Sequence, residues 1–202
     1  MLRVYGDVFS GNCYKVKLLL HQLGLEHEWR NIDILKRESR TPEFLALNSN
    51  GRIPVLQIAP DMHLAESNAI LQYLANDGQS DRLWPGGRAD QARALQWMFF
   101  EQYSHEPYVA TARYIVRYLG RPPEQEERLQ DKFGPGYAAL SVMEKHLEAN
   151  AFFAAGRYTV ADIALYAYTH VAHEGGFDLA RFPAVNAWME RVRGQPRHIG
   201  MG

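Results

Sequence analysis

Two short segments of this chain carry residue types and spacing that could do chemistry: Ile53-Pro54-Val55-Leu56, and Glu66-Ser67 at the start of an apolar helical run. Proline lacks an N–H and lowers the cost of a cis peptide to about 0.5–1 kcal/mol, so Ile53-Pro54 reads as a sharp reversal opening a strand. The Ile53 backbone is then left to offer its N–H and C=O to an extended ligand. Glu66 and Ser67 stand where the strand pattern Met62-His63-Leu64 gives way to Ala69, Ile70, Tyr73 and Leu74 at helical spacing. Ser67 reads as an N-cap or first-turn residue. Helix N-terminal amides and the helix dipole favour an anion there, such as a carboxylate, while Glu66 would pair with an ammonium. Together these groups suit a small peptide-like ligand. The plainer alternative is a hairpin followed by an ordinary capped helix.

The elements that must position these groups are legible from periodicity. Leu2 to Gly6 is a short apolar strand, and Val16, Leu18, Leu19, Leu20 and Leu23 have helical spacing ended by Gly24. His27 to Ile32 alternates as a strand, and Thr41-Pro42-Glu43-Phe44 opens a helix ending near Asn48. Val55 to Ile58 and Met62 to Leu64 form a hairpin, and Glu66 to Ala75 closes the unit. The order βαβ, α, ββα makes the first two strands parallel through a crossover helix. Turn-rich sequence at 76–81 and at Trp84-Pro85-Gly86-Gly87 predicts a boundary near 77–88, separating domains at 1–78 and 88–202. Beyond it only helical periods remain. Ala89 to Tyr118 reads as one long helix or a pair kinked at Pro107, and Glu124 to Ala149 as a helix interrupted at Gly134-Pro135-Gly136. Thr159-Val160-Ala161-Asp162 is a capping box opening a helix to about His173, with Tyr158 and Ile163 as its hydrophobic staple. A final helix covers Phe182 to Val192.

Composition narrows the function. The 202 residues are 47% hydrophobic, enough for a sizeable core, and the net charge is −1 from 22 basic and 23 acidic residues. With no basic block there is no electrostatic footprint for nucleic acid or an anionic membrane, so a small molecule or a protein is the expected partner. No apolar run reaches the roughly 20 residues that span a bilayer, and the N-terminus enters a strand pattern at once, so a cytoplasmic location is expected. The single cysteine, Cys13, excludes an internal disulfide and a Cys-rich metal site. The histidines lack ligand spacing; His170 and His173 fall three apart on one expected helix, and no metal is assigned.

An α/β unit followed by a helical one, with Ile-Pro opening the third strand and Glu-Ser at the third helix, resembles the cytosolic glutathione transferase family. Asn48-Ser49-Asn50-Gly51-Arg52-Ile53-Pro54-Val55-Leu56 is similar to that family's Asn-Pro-x-Gly-x-Val/Ile-Pro-x-Leu segment. Glu66-Ser67-Asn68-Ala69-Ile70 resembles its Glu-Ser-x-Ala-Ile, and Thr159 to Ala164 its C-terminal capping motif. The resemblance covers essentially the whole chain. It implies a thioredoxin-like N-terminal domain (βαβαββα), an all-α helical bundle, a homodimer, and glutathione as co-substrate with no further cofactor. It also implies that Ile53 pairs its backbone with the cysteinyl unit across a cis Pro54, and that Glu66 and Ser67 hold the γ-glutamyl ammonium and carboxylate. Arg40 and Arg52 are the nearest basic candidates for the glycyl carboxylate; many relatives carry His or Lys where this chain has Gly51.

Glutathione's thiol resembles a free cysteine, with a pKa of about 8.5, and only the thiolate is nucleophilic. Lowering that value by about two units takes roughly 2.7 kcal/mol, the size of one or two hydrogen bonds added to a helix N-terminus. The donors then belong where strand one meets helix one, at Ser10 to Val16. Positions 10 and 13 would hold a Cys-x-x-Cys pair in a thioredoxin-like fold; serine at 10 removes a protein dithiol mechanism. Ser10 matches the serine of the family's Ser-x-x-Cys classes and is the leading sulfur donor, with Cys13 as buried packing. Asn12 is the rival, because Ser-Gly-Asn-x-x-Lys-Val also resembles the Thr-Pro-Asn-x-x-Lys-Val of a bacterial subgroup that reduces disulfides with glutathione. Tyr103, Tyr108 and Arg113 are candidates for a second-substrate pocket or a dimer groove, against packing in a helical core with Arg113 in a salt bridge. The expected activity is conjugation of glutathione to a small electrophile. The alternatives are glutathione-dependent reduction of a disulfide or peroxide, and a non-catalytic binding or adaptor protein with this fold.

Overall fold

The computed structural model describes residues 1–76 and 83–202; the turn expected at 77–81 and the start of the 77–88 boundary lie outside the described residues. The chain divides into two compact units, Met1–Asp81 with Pro196–Gly202, and Arg82–Gln195.

The first unit runs β1 (Leu2–Gly6), α1 (Gly11–Leu23), β2 (His27–Asn31), α2 (Pro42–Leu47), β3 (Val55–Ala59), β4 (Met62–Ala65) and α3 (Ser67–Ala75). Its sheet has the order β2-β1-β3-β4. Parallel neighbours need a crossover connection, and α1 supplies it: β1 pairs β2 in parallel, with Val4 opposite Trp29. β3 returns antiparallel, with Val4 opposite Leu56, and joins β4 in a hairpin whose register shifts between Gln57 and Ala59. The apolar period read in α1 is its buried face: Val16, Leu18, Leu19 and Leu20 are fully enclosed with Val4, Val55, Leu56, Ile70 and Leu71. Each such side chain contributes roughly 1.5–3 kcal/mol. α1 ends at Gly24, φ 70°, whose N–H returns to His21 O, as the left-handed glycine cap requires. The residues after Gln195 cluster with this unit and not with the helical unit in which the sequence reading placed them. The reason is local: the Tyr14 hydroxyl on α1 donates to Ile199 O at 2.6 Å.

The second unit is helical: α4 (Arg88–Phe100), α5 (Glu106–Arg113), α6 (Glu126–Leu147), α7 (Val160–Thr169) and α8 (Pro183–Arg193). α4 and α5 are joined by a π-helical turn, Glu101–His105, and a second one, Tyr114–Tyr118, follows α5. This replaces the kink expected at Pro107. Proline sits in the first turn of α5, where its missing N–H costs nothing, and the widened turn before it takes up the extra residue. The π turn directs Glu101 and His105 fully inward and leaves Tyr103 outside. Thr169 donates to Leu165 O, so its oxygen receives the His105 Nε2 proton at 3.0 Å, linking the turn to α7.

α6 is also continuous where an interruption at Gly134-Pro135-Gly136 was expected. Gly136 is there for close approach: a Cβ at that position would lie 2.5 Å from two ring atoms of Phe177. Phe177 is buried and wedged edge-on against Phe133 and Tyr137, so it has nowhere to move. Gly136→Ala is therefore expected to destabilise by about 1–2 kcal/mol in urea unfolding, overpacking outweighing alanine's helical advantage of about 1 kcal/mol. A variant more stable than the parent would remove close packing as the reason for this glycine.

α7 stops at Thr169, short of the expected His173, which lies in the 3₁₀ turn Ala172–Gly175; His170 and His173 do not share a helix. The capping box forms: Thr159 Oγ1 accepts from Ala161 N, and Asp162 Oδ2 accepts from Thr159 N at 2.9 Å. Asp162 Oδ1 also accepts from Phe153 N and from Trp188 Nε1, at 3.1 and 2.9 Å. One carboxylate thus joins the start of α7, the loop before it and α8. No helix among the described residues is long and apolar enough to cross a membrane.

Candidate functional site

In unit 1 the N-termini of α1 and α3 are brought together. α1 opens at Ser10 in extended conformation, and no side chain caps its first turn. Cys13, one turn on, is fully buried against Gly6, whose added Cβ would meet the sulfur at 2.7 Å. Burial pushes the Cys13 thiol up to about 12, opposed by hydrogen bonds from the Ser10 hydroxyl and the Asp7 backbone. This thiol is neutral at physiological pH, and the Ser10 hydroxyl lies beside it. Tyr5, near the end of β1, gives its hydroxyl proton to Gln57 Oε1 at 3.2 Å.

α3 opens differently. Glu66 precedes it with φ 66° and ψ 109°, a backbone region that side-chain-bearing residues rarely occupy and that costs of order 1–3 kcal/mol. No side chain caps this helix either, its Glu66 carboxylate is exposed, and Ser67 is buried as the first helical residue. The Ser67 hydroxyl donates to Asn12 Oδ1 at 3.2 Å across the two N-termini. Beneath it lies Lys15, fully buried, with Nζ 3.3 Å from Ser67 Oγ and 3.5 Å from Asn68 Oδ1. The sequence reading assigned Lys15 no role. The available signal was a lysine three and four residues before Leu18 and Leu19, on the apolar face of α1.

The Ile53–Pro54 peptide is cis, with Pro54 buried and Ile53 half-buried ahead of the β3 ladder that starts at Val55. The loop before it turns at Gly51, φ 63°, and a Cβ there would lie 2.6 Å from Arg40 Nη1. Arg40 thus occupies the space a side chain at 51 would need, held by a 3.0 Å bond from Nη1 to Asn50 O. Arg52 is exposed, and its carbonyl accepts from Asn48 Nδ2 at 2.8 Å. Of the two cations, Arg40 is the one built into the loop.

Tyr103, Tyr108 and Arg113 lie in unit 2 and meet three different environments. Tyr103 is 86% exposed, one face from Phe99 at 69%. Tyr108 is half-buried, its Cβ 3.6 Å from where a Gly136 Cβ would be, so it packs toward α6. Arg113 is buried and its Nε donates to Glu174 Oε2 at 2.7 Å, which commits the guanidinium to the helical core. Among the described residues no group of His, Cys, Asp or Glu is placed to hold a metal ion.

A crystal structure of glutathione S-transferase from Pseudomonas fluorescens Pf-5 superposes with a TM-score of 0.95 at 52% identity, covering 99% of this chain and 98% of that one. Disulfide-bond oxidoreductase YfcG of Escherichia coli strain K12 is 29% identical over 192 residues, 92% of this chain and 87% of its own length. Protein URE2 of Eremothecium gossypii is 26% identical over 226 residues, taking in 93% of this chain; the chain spans only 64% of that relative's length. Residues 1–76 match the family described as Glutathione S-transferase, N-terminal domain, and residues 97–196 match Glutathione S-transferase, C-terminal domain. Matched in order over both units, the chain belongs to the glutathione S-transferase family.

Proposed function

We propose that the protein binds glutathione in unit 1, favours its thiolate, and transfers that sulfur to a small electrophile. The observation that carries this reading is the 3.2 Å bond between Ser67 and Asn12, which joins an anion-accepting helix start to the place where a sulfur donor is needed. The γ-glutamyl carboxylate rests on Ser67 and the first amides of α3, its ammonium meets Glu66, and the cysteinyl unit pairs with the Ile53 backbone beside Pro54. Arg40 takes the glycyl carboxylate in preference to Arg52. Asn12 is the sulfur donor favoured over Ser10, whose hydroxyl lies beside the buried Cys13. Glutathione is a co-substrate here, and the reading uses no metal or further cofactor. Association as a homodimer in the cytoplasm completes the proposal, with the exposed Phe99 and Tyr103 as the surface to be covered.

A second reading, reduction of a small disulfide by two molecules of glutathione to two thiols and glutathione disulfide, is favoured by the same Asn12 placement and by similarity to YfcG. One experiment separates the readings. Glutathione at a hundred times its dissociation constant is expected to stabilise the protein by about 2.7 kcal/mol, seen as a raised melting temperature. Thioether formation with 1-chloro-2,4-dinitrobenzene then marks conjugation, while NADPH oxidation in the presence of glutathione reductase and 2-hydroxyethyl disulfide marks reduction. No melting shift at millimolar glutathione and no turnover would leave a non-catalytic adaptor.

A further inference from the structure

We infer that Lys15 is a positioning residue of the sulfur site, a buried ammonium that dictates which end of the Asn12 amide is presented at the start of α1. The inference rests on the glutathione reading of unit 1. An ammonium has donors only. With Lys15 Nζ at 3.3 Å, Ser67 Oγ must act as acceptor toward it, and the single Ser67 proton goes on to Asn12 Oδ1 at 3.2 Å. The sequence of donors runs one way, from Lys15 to Ser67 to Asn12. The carbonyl end of Asn12 is consumed toward α3, so the NH₂ end is turned the other way. That polarity decides the chemistry, because a donor at sulfur favours the thiolate whereas a carbonyl oxygen would favour the neutral thiol. The charge acts in the same direction. A cation with no exposed surface, close to the helix starts where carboxylate and thiolate are held, stabilises both anions with little screening.

The test is the pH titration of enzyme-bound glutathione, read by the ultraviolet absorbance of its thiolate, together with kcat and KM. In the parent protein the bound thiol titrates below the free value of about 8.5. Lys15→Met is expected to raise it by about one unit, which is tenfold less thiolate on the acid side of the titration, with kcat falling more than KM rises. Lys15→Arg, also donor-only, restores most of the shift. Asn12→Asp keeps an acceptor for Ser67 but presents no donor to sulfur, and raises the value at least as far. If Lys15→Met fails to fold, Lys15→Gln, uncharged and able to accept as well as donate, takes its place with the same expectation. A folded Met or Gln variant that binds glutathione with an unchanged thiol pKa overturns the role of Lys15. Parent protein that binds glutathione but leaves its thiol at the free value overturns the glutathione-thiolate reading itself, and this inference with it.

Discussion

Asp162→Ala is expected to cost about 3 kcal/mol of stability, measured as a fall in the urea midpoint with the slope of the transition unchanged. The carboxylate is fully buried, and its oxygens receive Thr159 N, Phe153 N and Trp188 Nε1. Loss of the cap accounts for about 1 kcal/mol, and each buried donor left without its acceptor for about 1–3 kcal/mol more before the chain relaxes. Trp188 makes relaxation difficult, since its ring is fully buried and packs edge-on against Phe153 and Tyr166. The same burial pushes the Asp162 carboxyl up from 3.8 to about 6, with the hydrogen bond from Trp188 and those from Thr159 and Phe153 opposing it. Because the folded-state value lies above the unfolded one, the folded protein holds this proton where the unfolded chain has released it. The contribution is complete below about pH 4 and declines as the pH rises through 6. That slope should vanish in the alanine variant. A loss below about 1 kcal/mol would show that the donors to Asp162 find other partners.

Asn12→Ala is expected to lower kcat/KM for glutathione about a hundredfold, and Ser10→Ala by no more than roughly threefold, in the same assay. A single preorganised donor facing a developing anion is worth about 10²–10³ in rate, some 2.7–4 kcal/mol. The Asn12 carbonyl is held by the Ser67 hydroxyl, whereas Ser10 lies beside Cys13, a thiol kept neutral by burial. The reverse order of effects would return the sulfur to Ser10. Equal and small effects from both would move the source of thiolate stabilisation to the helix amides and Lys15.

Strands and helices of both units were legible because apolar spacing is a local signal: the alternation at His27 to Ile32 became β2 to within one residue, and the run from Val16 to Leu23 lies within α1, which begins earlier at Gly11. What escaped the sequence depends on distant residues. The need for glycine at 136 in the continuous α6 comes from Phe177, some forty positions away, which fills the space a side chain there would take. The π turns replace a kink at Pro107 because the inward path of Glu101 and His105 toward α7 sets the local winding. At the candidate site, Ile53-Pro54 and Glu66-Ser67 carried their own marks of proline and helix-start chemistry. Lys15 did not, since its partners Ser67 and Asn68 are 52 and 53 residues away. Arg40 and Arg52 looked alike until the empty side-chain position at Gly51 distinguished them.

Cys13 has a consequence for self-protection. A protein that handles reactive sulfur is exposed to thiol–disulfide exchange with its own cysteine, which would leave it covalently blocked by a mixed disulfide. Exchange requires the attacking thiolate. With its thiol pushed up to about 12 by burial, Cys13 stays in the unreactive neutral form at neutral pH, and it is sealed between Gly6 and the body of α1. The residue occupying the resolving position of a dithiol pair is thereby a chemical bystander, and under the proposed function the sulfur of bound glutathione is left as the reactive one.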